Sequence, residues 1–230
     1  MTEHPPASAL PWARDLGLRL RERFWLKFIG TVVWVWVFFI GYFHLLRHPA
    51  QPAFVMPLTA VDRWVPFQPG WLVPYLSLWV YVGVAPGLQR GLAPLLSYGF
   101  WSAALCAAGL GVFWLWPTQI PPMAVPAGAP GFGLLQGIDA AGNACPSMHV
   151  AVSIFTAIWL EHLLRTAGAP AALRALNLGW FAAIAWSTLA VRQHVLWDVL
   201  AGAALGAVFA WASLRWRPAE PLPPAPGAAV

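Results

Sequence analysis

Long apolar runs alternate with short polar or Pro- and Gly-rich segments along most of the chain. Six of these runs come close to the ~20 residues that an α-helix needs to cross a bilayer. They cover residues 25–46, 71–88, 95–116, 149–164, 173–191 and 195–214. The pattern predicts an all-α, polytopic membrane protein, built as a bundle of six transmembrane helices.

Composition supports this class of protein. The chain is 60% hydrophobic and 9% charged, with 16 Trp among 230 residues, whereas soluble domains average roughly 25% charged residues. A net charge of +5 from so few groups does not indicate nucleic-acid binding. We expect one membrane domain over residues 25–216, preceded by a basic cytoplasmic segment, 1–24, and followed by a disordered tail, 217–230. The Pro- and Gly-rich stretch 117–146 is the longest predicted outer loop.

The basic residues orient the predicted bundle. With the N-terminus in the cytoplasm, ten of the 13 Lys and Arg residues fall at inner ends or loops. These ten are Arg14, Arg19, Arg21, Arg23, Lys27, Arg90, Arg165, Arg174, Arg215 and Arg217, and the outer three are Arg47, Arg63 and Arg192. The positive-inside rule therefore predicts that both termini are cytoplasmic, in a plasma membrane or a bacterial inner membrane. Residues 13–23 fit either a basic amphipathic helix on the inner membrane surface or a solvated positive flank.

Five polar residues whose side chains can take part in catalysis or binding lie at the ends of three predicted helices. Ser147 and His149 begin the fourth, Arg192 follows the fifth, and His194 and Asp198 begin the sixth. The topology, which was set by charge alone, places all three ends on the outer face. Ionisable residues inside a membrane are costly and are functional by default. Two imidazoles, a carboxylate and a guanidinium together indicate phosphate chemistry.

Local spacing gives these residues complementary tasks. His194 and Asp198 are four residues apart on one helix face, so the carboxylate can hold one ring nitrogen and leave the other free for attack. Ser147 lies at a helix start, where N–H groups and the helix dipole attract anions. Arg192 can offer a planar, bidentate donor to phosphate oxygens. No carboxylate cluster accompanies the histidines, so we expect no metal ion and no cofactor.

These residues resemble the motifs of the type 2 phosphatidic acid phosphatase superfamily, which contains six-helix lipid phosphate phosphatases and phosphotransferases. Residues 146–149, Pro-Ser-Met-His, match its P-S-x-H motif. Ser187, His194 and Asp198 match its S-R-x-x-x-x-x-H-x-x-x-D motif at the correct spacing. The resemblance covers most of residues 30–210.

At the positions where the chain departs from these motifs, its sequence resembles the branch that contains the inositol phosphorylceramide synthases. Thr188 stands where the superfamily usually has arginine, and Arg192 follows about one helical turn later, where it can present its guanidinium to the same place. The stretches 62–77 and 139–151 also resemble that branch. The superfamily's K-x-x-x-x-x-x-R-P motif is absent, and Arg63 is the candidate on the outer side to bind phosphate instead.

The resemblance implies a membrane enzyme that acts on a phosphorylated lipid through a phosphohistidine. His194 would attack phosphorus and Asp198 would orient it. His149 would protonate the departing oxygen and then deprotonate the acceptor. The groups that would hold the phosphoryl oxygens are Arg192, Ser147, Arg63 and the N–H groups of the helix start, Met148 among them.

Several functional alternatives follow from the same residues. With water as the acceptor the protein is a lipid phosphate phosphatase, and with a lipid alcohol it is a phosphotransferase that moves a head group such as phosphoinositol. We favour the phosphatase, because the sequence shows no pocket that can be assigned to an alcohol. A non-catalytic, lipid-binding member and a haem protein that uses the paired histidines are further hypotheses.

Other residues fit packing better than chemistry. Gly202 and Gly206 have the small-xxx-small spacing of closely packed helices. Ser187 fits helix packing better than substrate contact. The remaining histidines of the apolar segments fit packing at least as well as a functional role, and they are His44, His48 and His162.

Overall fold

A computed structural model describes residues 11–123 and 142–221 of the chain. Within these residues the protein has eight α-helices: α1 (Trp12–Arg21), α2 (Phe24–Arg47), α3 (Ala60–Trp64), α4 (Leu72–Gly87), α5 (Leu92–Leu115), α6 (Met148–Thr166), α7 (Ala171–Ala190) and α8 (Leu196–Arg215). A 3₁₀ turn, Pro69–Trp71, precedes α4, and two short parallel strands pair, β1 (Phe54–Val55) and β2 (Thr118–Gln119). The predictions for residues 1–10, 124–141 and 222–230, including most of the outer loop and of the tail, lie outside the described residues.

Each of the six predicted apolar runs forms one helix, α2 and α4 to α8. The largest shift is at α5, which begins at Leu92 instead of residue 95. Among the described helices, α2, α5 and α8 are long and apolar enough to cross a membrane. α4 has only 16 residues, and α6 and α7 carry buried polar groups such as Thr156 and Asn177. The mostly helical fold is confirmed, and the count of six spans and the domain bounds stay predictions.

Helix α6 lies at the centre of the bundle and packs against α4, α5, α7 and α8. Its Phe155 and Trp159 are almost fully buried, together with Leu78 of α4 and Phe113 of α5. Large apolar side chains also cover the outside, where Trp36 is 70% exposed. Extensive exposed apolar surface is typical of a protein that contacts a membrane or a partner.

Two glycines allow α8 to approach α6 at backbone distance. A Cβ atom at Gly202 would lie 2.3 Å from the Ser147 carbonyl oxygen, and one at Gly206 would lie 2.1 Å from the Ala151 carbonyl oxygen. Real Cβ contacts are never this short, so any larger residue would push the two helices apart. The predicted close packing is confirmed, and it holds the start of α8 beside the start of α6.

Ion pairs and hydrogen bonds join four chain segments at one end of the bundle. Asp15 pairs with Arg19 at 2.8 Å and with Arg90 of the α4–α5 turn, and Arg19 also pairs with Glu220 at 2.9 Å. Lys27 at the start of α2 donates to the Arg19 carbonyl oxygen at 2.7 Å. Residues 12–21 therefore form a helix, and the burial of Asp15 and Arg19 excludes a fully solvated flank. The position of this helix on the inner membrane surface stays a prediction. We call this region the α1 end.

The opposite end of the bundle holds the segment that leads into α6. The Cys145 N–H donates to the Thr118 hydroxyl oxygen at 2.8 Å. The Asn143 side-chain amide donates to the Tyr42 carbonyl oxygen, near the last turn of α2, at 2.9 Å. These bonds anchor residues 142–147 to α2 and β2. We call this region, together with the α7–α8 turn, the histidine end.

Candidate active site

The start of α6 is fixed by its capping residue, Ser147. The Ser147 hydroxyl accepts the Val150 N–H at 3.3 Å, as Ser does at helix N-caps. Its own backbone N–H donates to the Asp198 carbonyl oxygen at 2.9 Å, which joins the starts of α6 and α8. The Met148 side chain packs on Gly109, while its N–H belongs to the first turn, where helical N–H groups have no intrahelical acceptor.

His149 follows in the first turn of α6 and is held against α4. Its Nε2 lies 3.0 Å from the Tyr75 carbonyl oxygen, and its ring stacks on the Tyr75 ring at 4.1 Å between centroids. A carbonyl oxygen can only accept, so Nε2 carries the hydrogen and donates. Nδ1 is then the nitrogen that can exchange a proton with a ligand.

His194 lies in the turn between α7 and α8, with Asp198 one helical turn later. The His194 Nδ1 and the Asp198 Oδ2 are 3.5 Å apart, and Oδ2 also accepts the Val195 N–H at 3.0 Å. The other oxygen, Oδ1, is buried and has no hydrogen-bond partner among the described residues. The separation of 3.5 Å is longer than a hydrogen bond, and such contacts often tighten only when substrate binds.

The α7–α8 turn is built by backbone bonds around Thr188. Its carbonyl oxygen accepts the N–H groups of Gln193 at 3.0 Å and His194 at 3.2 Å. Arg192 adopts a left-handed backbone, with φ of 56°, and lies two residues before His194. The Ser187 hydroxyl donates to the Ile184 carbonyl oxygen at 2.6 Å and is fully buried, which agrees with its packing interpretation.

The structure does not bring Arg63 to the histidines. Arg63 is exposed on α3, and its guanidinium donates to the Leu58 carbonyl oxygen at 3.1 Å. Its neighbour Asp62 is buried instead. Asp62 Oδ2 accepts the Thr59 N–H at 2.7 Å, and Oδ1 accepts the Leu196 N–H, the first of α8, at 2.8 Å.

Sequence reasoning missed the contact between Asp62 and α8. The pair Thr59 and Asp62 has the spacing of a capping box, which the structure confirms at the start of α3. That signal predicts the hydrogen bond of one Asp62 oxygen, Oδ2, with the Thr59 N–H. Nothing local indicates that the other oxygen reaches Leu196, which is 134 residues away in sequence.

Both histidines line one cavity of about 740 Å³ between α2, α4, α5 and α6. Asn143 and Met148 also line it at the histidine end. Its volume lies within the range of small-molecule sites. Among residues 11–123 and 142–221, no three His, Cys, Asp or Glu side chains are placed to hold a metal ion.

These observations define a class: a helical protein with helices of membrane length and a buried histidine–carboxylate site that opens on an apolar cavity. Comparison with known families makes the class specific. The model of the PAP2 superfamily matches residues 69–221, and the chain belongs to this superfamily. Its members are phosphatases or phosphotransferases. No curated protein and no solved structure matches the chain.

The matched region contains α4 to α8, and with them His149, His194 and Asp198. It begins after α3, so Asp62 and Arg63 lie outside it. The resemblance to inositol phosphorylceramide synthases stays a prediction.

Proposed function

We propose that the protein is a membrane-embedded lipid phosphate phosphatase that works through a phosphohistidine at His194. The observation that carries this proposal is the shared cavity: His194, with Asp198 beside it, and His149 line the same space. Phosphoryl transfer depends on positioning and charge stabilisation, and a histidine pair across a cavity provides the positioning.

In the proposed first step, His194 Nε2 attacks phosphorus and the bond to the lipid oxygen breaks. His149 enters this step as an imidazolium, with a hydrogen on each ring nitrogen. The lipid oxygen takes the proton from Nδ1, the Nε2–H stays on the Tyr75 carbonyl oxygen, and Asp198 holds the Nδ1–H of His194. In the second step, His149 takes a proton from water, whose oxygen attacks phosphorus. The phosphorus–nitrogen bond breaks, inorganic phosphate leaves, and His194 is restored.

The proposed anion site uses groups at the two joined helix starts. Ser147 and the Met148 N–H come from α6, and Arg192 comes from the α7–α8 turn. The bond between the Ser147 N–H and the Asp198 carbonyl oxygen supports this grouping, because it holds the two elements together. Arg63 remains a candidate that must first leave the Leu58 carbonyl oxygen to reach a phosphate.

We further propose six membrane spans, cytoplasmic termini and an active site on the outer face. The α1 end supports this orientation, because Arg19, Lys27 and Arg90 are joined there by ion pairs and hydrogen bonds. The positive-inside rule assigns such an end to the cytoplasm. The histidine end then faces outward.

Introduced cysteines test this orientation. Ala50, after α2, and Ala171, at the start of α7, are exposed at opposite ends. The native Cys145 gives little background, because burial, aided by the Asp198 carboxylate, raises the pKa of its thiol to about 11. A membrane-impermeant thiol reagent should label Ala50→Cys in intact cells and Ala171→Cys only after permeabilisation. The reverse pattern would place the active site on the cytoplasmic face.

A phosphotransferase is the second candidate function. The sequence Arg192-Gln193-His194 and the loss of the usual arginine at Thr188 favour it, because both resemble the synthase branch. The two functions share the first step and differ in the acceptor. An alcohol must be held near His149 to outcompete water at the phosphohistidine.

The test of catalysis uses purified protein and a lipid phosphate, with and without inositol. His194→Ala should abolish phosphate release and phosphohistidine formation, and His149→Ala should slow turnover by about 10²–10⁴-fold. His162→Ala, near the opposite end of α6, is the matched control and should retain full activity. Turnover by His194→Ala would refute the nucleophile, and a phospholipid product without phosphate release would favour the transferase. A Soret band that either histidine substitution removes would indicate haem.

A further inference from the structure

The cavity that holds the two histidines extends far beyond them. Its lining passes from His149 and Tyr75 along α2 and α5 to Leu26 and Lys27 at the α1 end. Most of its walls are aliphatic and aromatic side chains. A phosphate at the histidines would therefore occupy only one end of the space, and the rest suits a hydrocarbon.

The length of the cavity exceeds one leaflet of a bilayer. Along α2 its lining runs from Tyr42 to Leu26, a distance of about 24 Å at about 1.5 Å per helical residue. Half of the hydrocarbon core of a bilayer is only about 15 Å thick. A chain that starts at the histidines and follows the cavity would thus pass the bilayer midplane.

The far end of the cavity is lined by Lys27, whose ammonium group makes polar contacts. The Lys27 Nζ donates to the Arg19 and Gly87 carbonyl oxygens at 2.7 and 3.0 Å. These bonds hold the ammonium group in the wall of the cavity. The cavity therefore has a polar group at each end, the histidines at one and Lys27 at the other.

We propose that this cavity binds one extended hydrocarbon chain of the substrate and thereby selects lipid phosphates by chain length. The inference rests on the proposed function, since the histidines must bind the phosphate. A chain that moves from lipid into the cavity exchanges one apolar environment for another, so little hydrophobic energy is gained. Selection comes from fit: a chain that the cavity can hold binds, and one that meets an obstruction does not.

Gly99 of α5 provides the test site. It lines the cavity about two helical turns from the start of α5 at the α1 end, and a Cβ atom there would meet nothing within 4 Å. A leucine side chain at this position would project into the cavity. Gly111, on the same helix, is equally open and does not line the cavity, so Gly111→Leu is the matched control.

The kinetic experiment compares octyl, dodecyl, hexadecyl and eicosyl phosphate as substrates in detergent. Gly99→Leu should raise the KM of the two longest substrates by about tenfold or more, the scale of an overpacked site. It should leave octyl phosphate turnover unchanged, and Gly111→Leu should match the unsubstituted protein throughout. An unchanged chain-length profile in Gly99→Leu would overturn the proposal.

A second experiment does not depend on turnover. Hexadecyl phosphate with a diazirine at the chain end should crosslink His194→Ala protein near Leu26 of α2, and Gly99→Leu should abolish that product. Crosslinks only to outward-facing residues such as Trp36 and Val80 would overturn the proposal, as would equal labelling by a diazirine phosphatidylcholine. Crosslinking near Leu26 without any turnover by the unsubstituted protein would refute the proposed function and leave the chain site supported.

Discussion

The two ends of the bundle both bury charged groups, and they treat them differently. At the α1 end, Asp15 pairs with Arg19 and Arg90, and Arg19 also pairs with Glu220. Burial opposes the charge of Arg19, but the bonds to Glu220 and Asp15 outweigh it and raise its pKa. At the histidine end, Asp198 is fully buried, one of its oxygens has no hydrogen-bond partner among the described residues, and the other lies 3.5 Å from His194.

This difference separates a structural network from a reactive one. Buried polar groups are normally hydrogen-bonded, and leaving one unsatisfied costs stability. At the α1 end, Asp15, Arg19 and Lys27 follow that rule, and their bonds hold four chain segments together. The histidine end breaks the rule at the carboxylate that the proposed mechanism needs. Each region can therefore be tested by converting its carboxylate to an amide.

Asp198→Asn should give the largest effect, a loss of activity of about 10³–10⁴-fold, by analogy with the aspartate of the serine-protease triad. The asparagine oxygen would take the place of Oδ2 and still accept the Val195 N–H. The neutral amide would no longer stabilise the positive charge that the His194 ring gains when Nε2 binds phosphorus. The unfolding midpoint in detergent should therefore change little. Activity close to that of the unsubstituted protein would remove Asp198 from the mechanism.

Asp15→Asn should show the opposite pattern at the α1 end. The substitution removes the charge that pairs with Arg90 and one of the two charges that pair with Arg19. Breaking a buried ion pair costs about 3–5 kcal/mol. We expect faster proteolysis of residues 12–23 and a lower unfolding midpoint, with kcat unchanged in the folded protein. If kcat fell while the unfolding midpoint stayed unchanged, the α1 end would take part in catalysis and would not be a purely structural network.

The sequence predicts much of this arrangement because its signals are local. Each of the six apolar runs forms one helix, because each has about the length of a helix that can cross a bilayer. The four-residue spacing of His194 and Asp198 predicts their contact. The glycine pair at 202 and 206 predicts the close approach of α8 to α6, although the sequence does not identify α6 as the partner.

The sequence carries no local signal for contacts between residues that are far apart in the chain. Asp62 reaches α8 only because α3 folds against the histidine end, and no spacing rule spans 134 residues. The cavity is the space left between four helices, so its length depends on their packing. Only its expected side of the membrane makes Arg63 a candidate to bind phosphate, and in the structure its guanidinium donates to the Leu58 carbonyl oxygen.

The smallest expected effect concerns Asp62 and Arg63, which are neighbours on α3 at the histidine end. Asp62 accepts N–H groups of Thr59 and Leu196, so an asparagine, with one acceptor oxygen, must give up one of these bonds. Loss of a helix cap costs about 0.5–2 kcal/mol. Because α8 carries Asp198, Asp62→Asn should lower kcat by a few-fold to about tenfold with little change in KM. The neighbouring Arg63→Ala is the control and should leave both constants nearly unchanged. A large rise in KM for Arg63→Ala would instead show that its guanidinium leaves the Leu58 carbonyl oxygen and binds the phosphate.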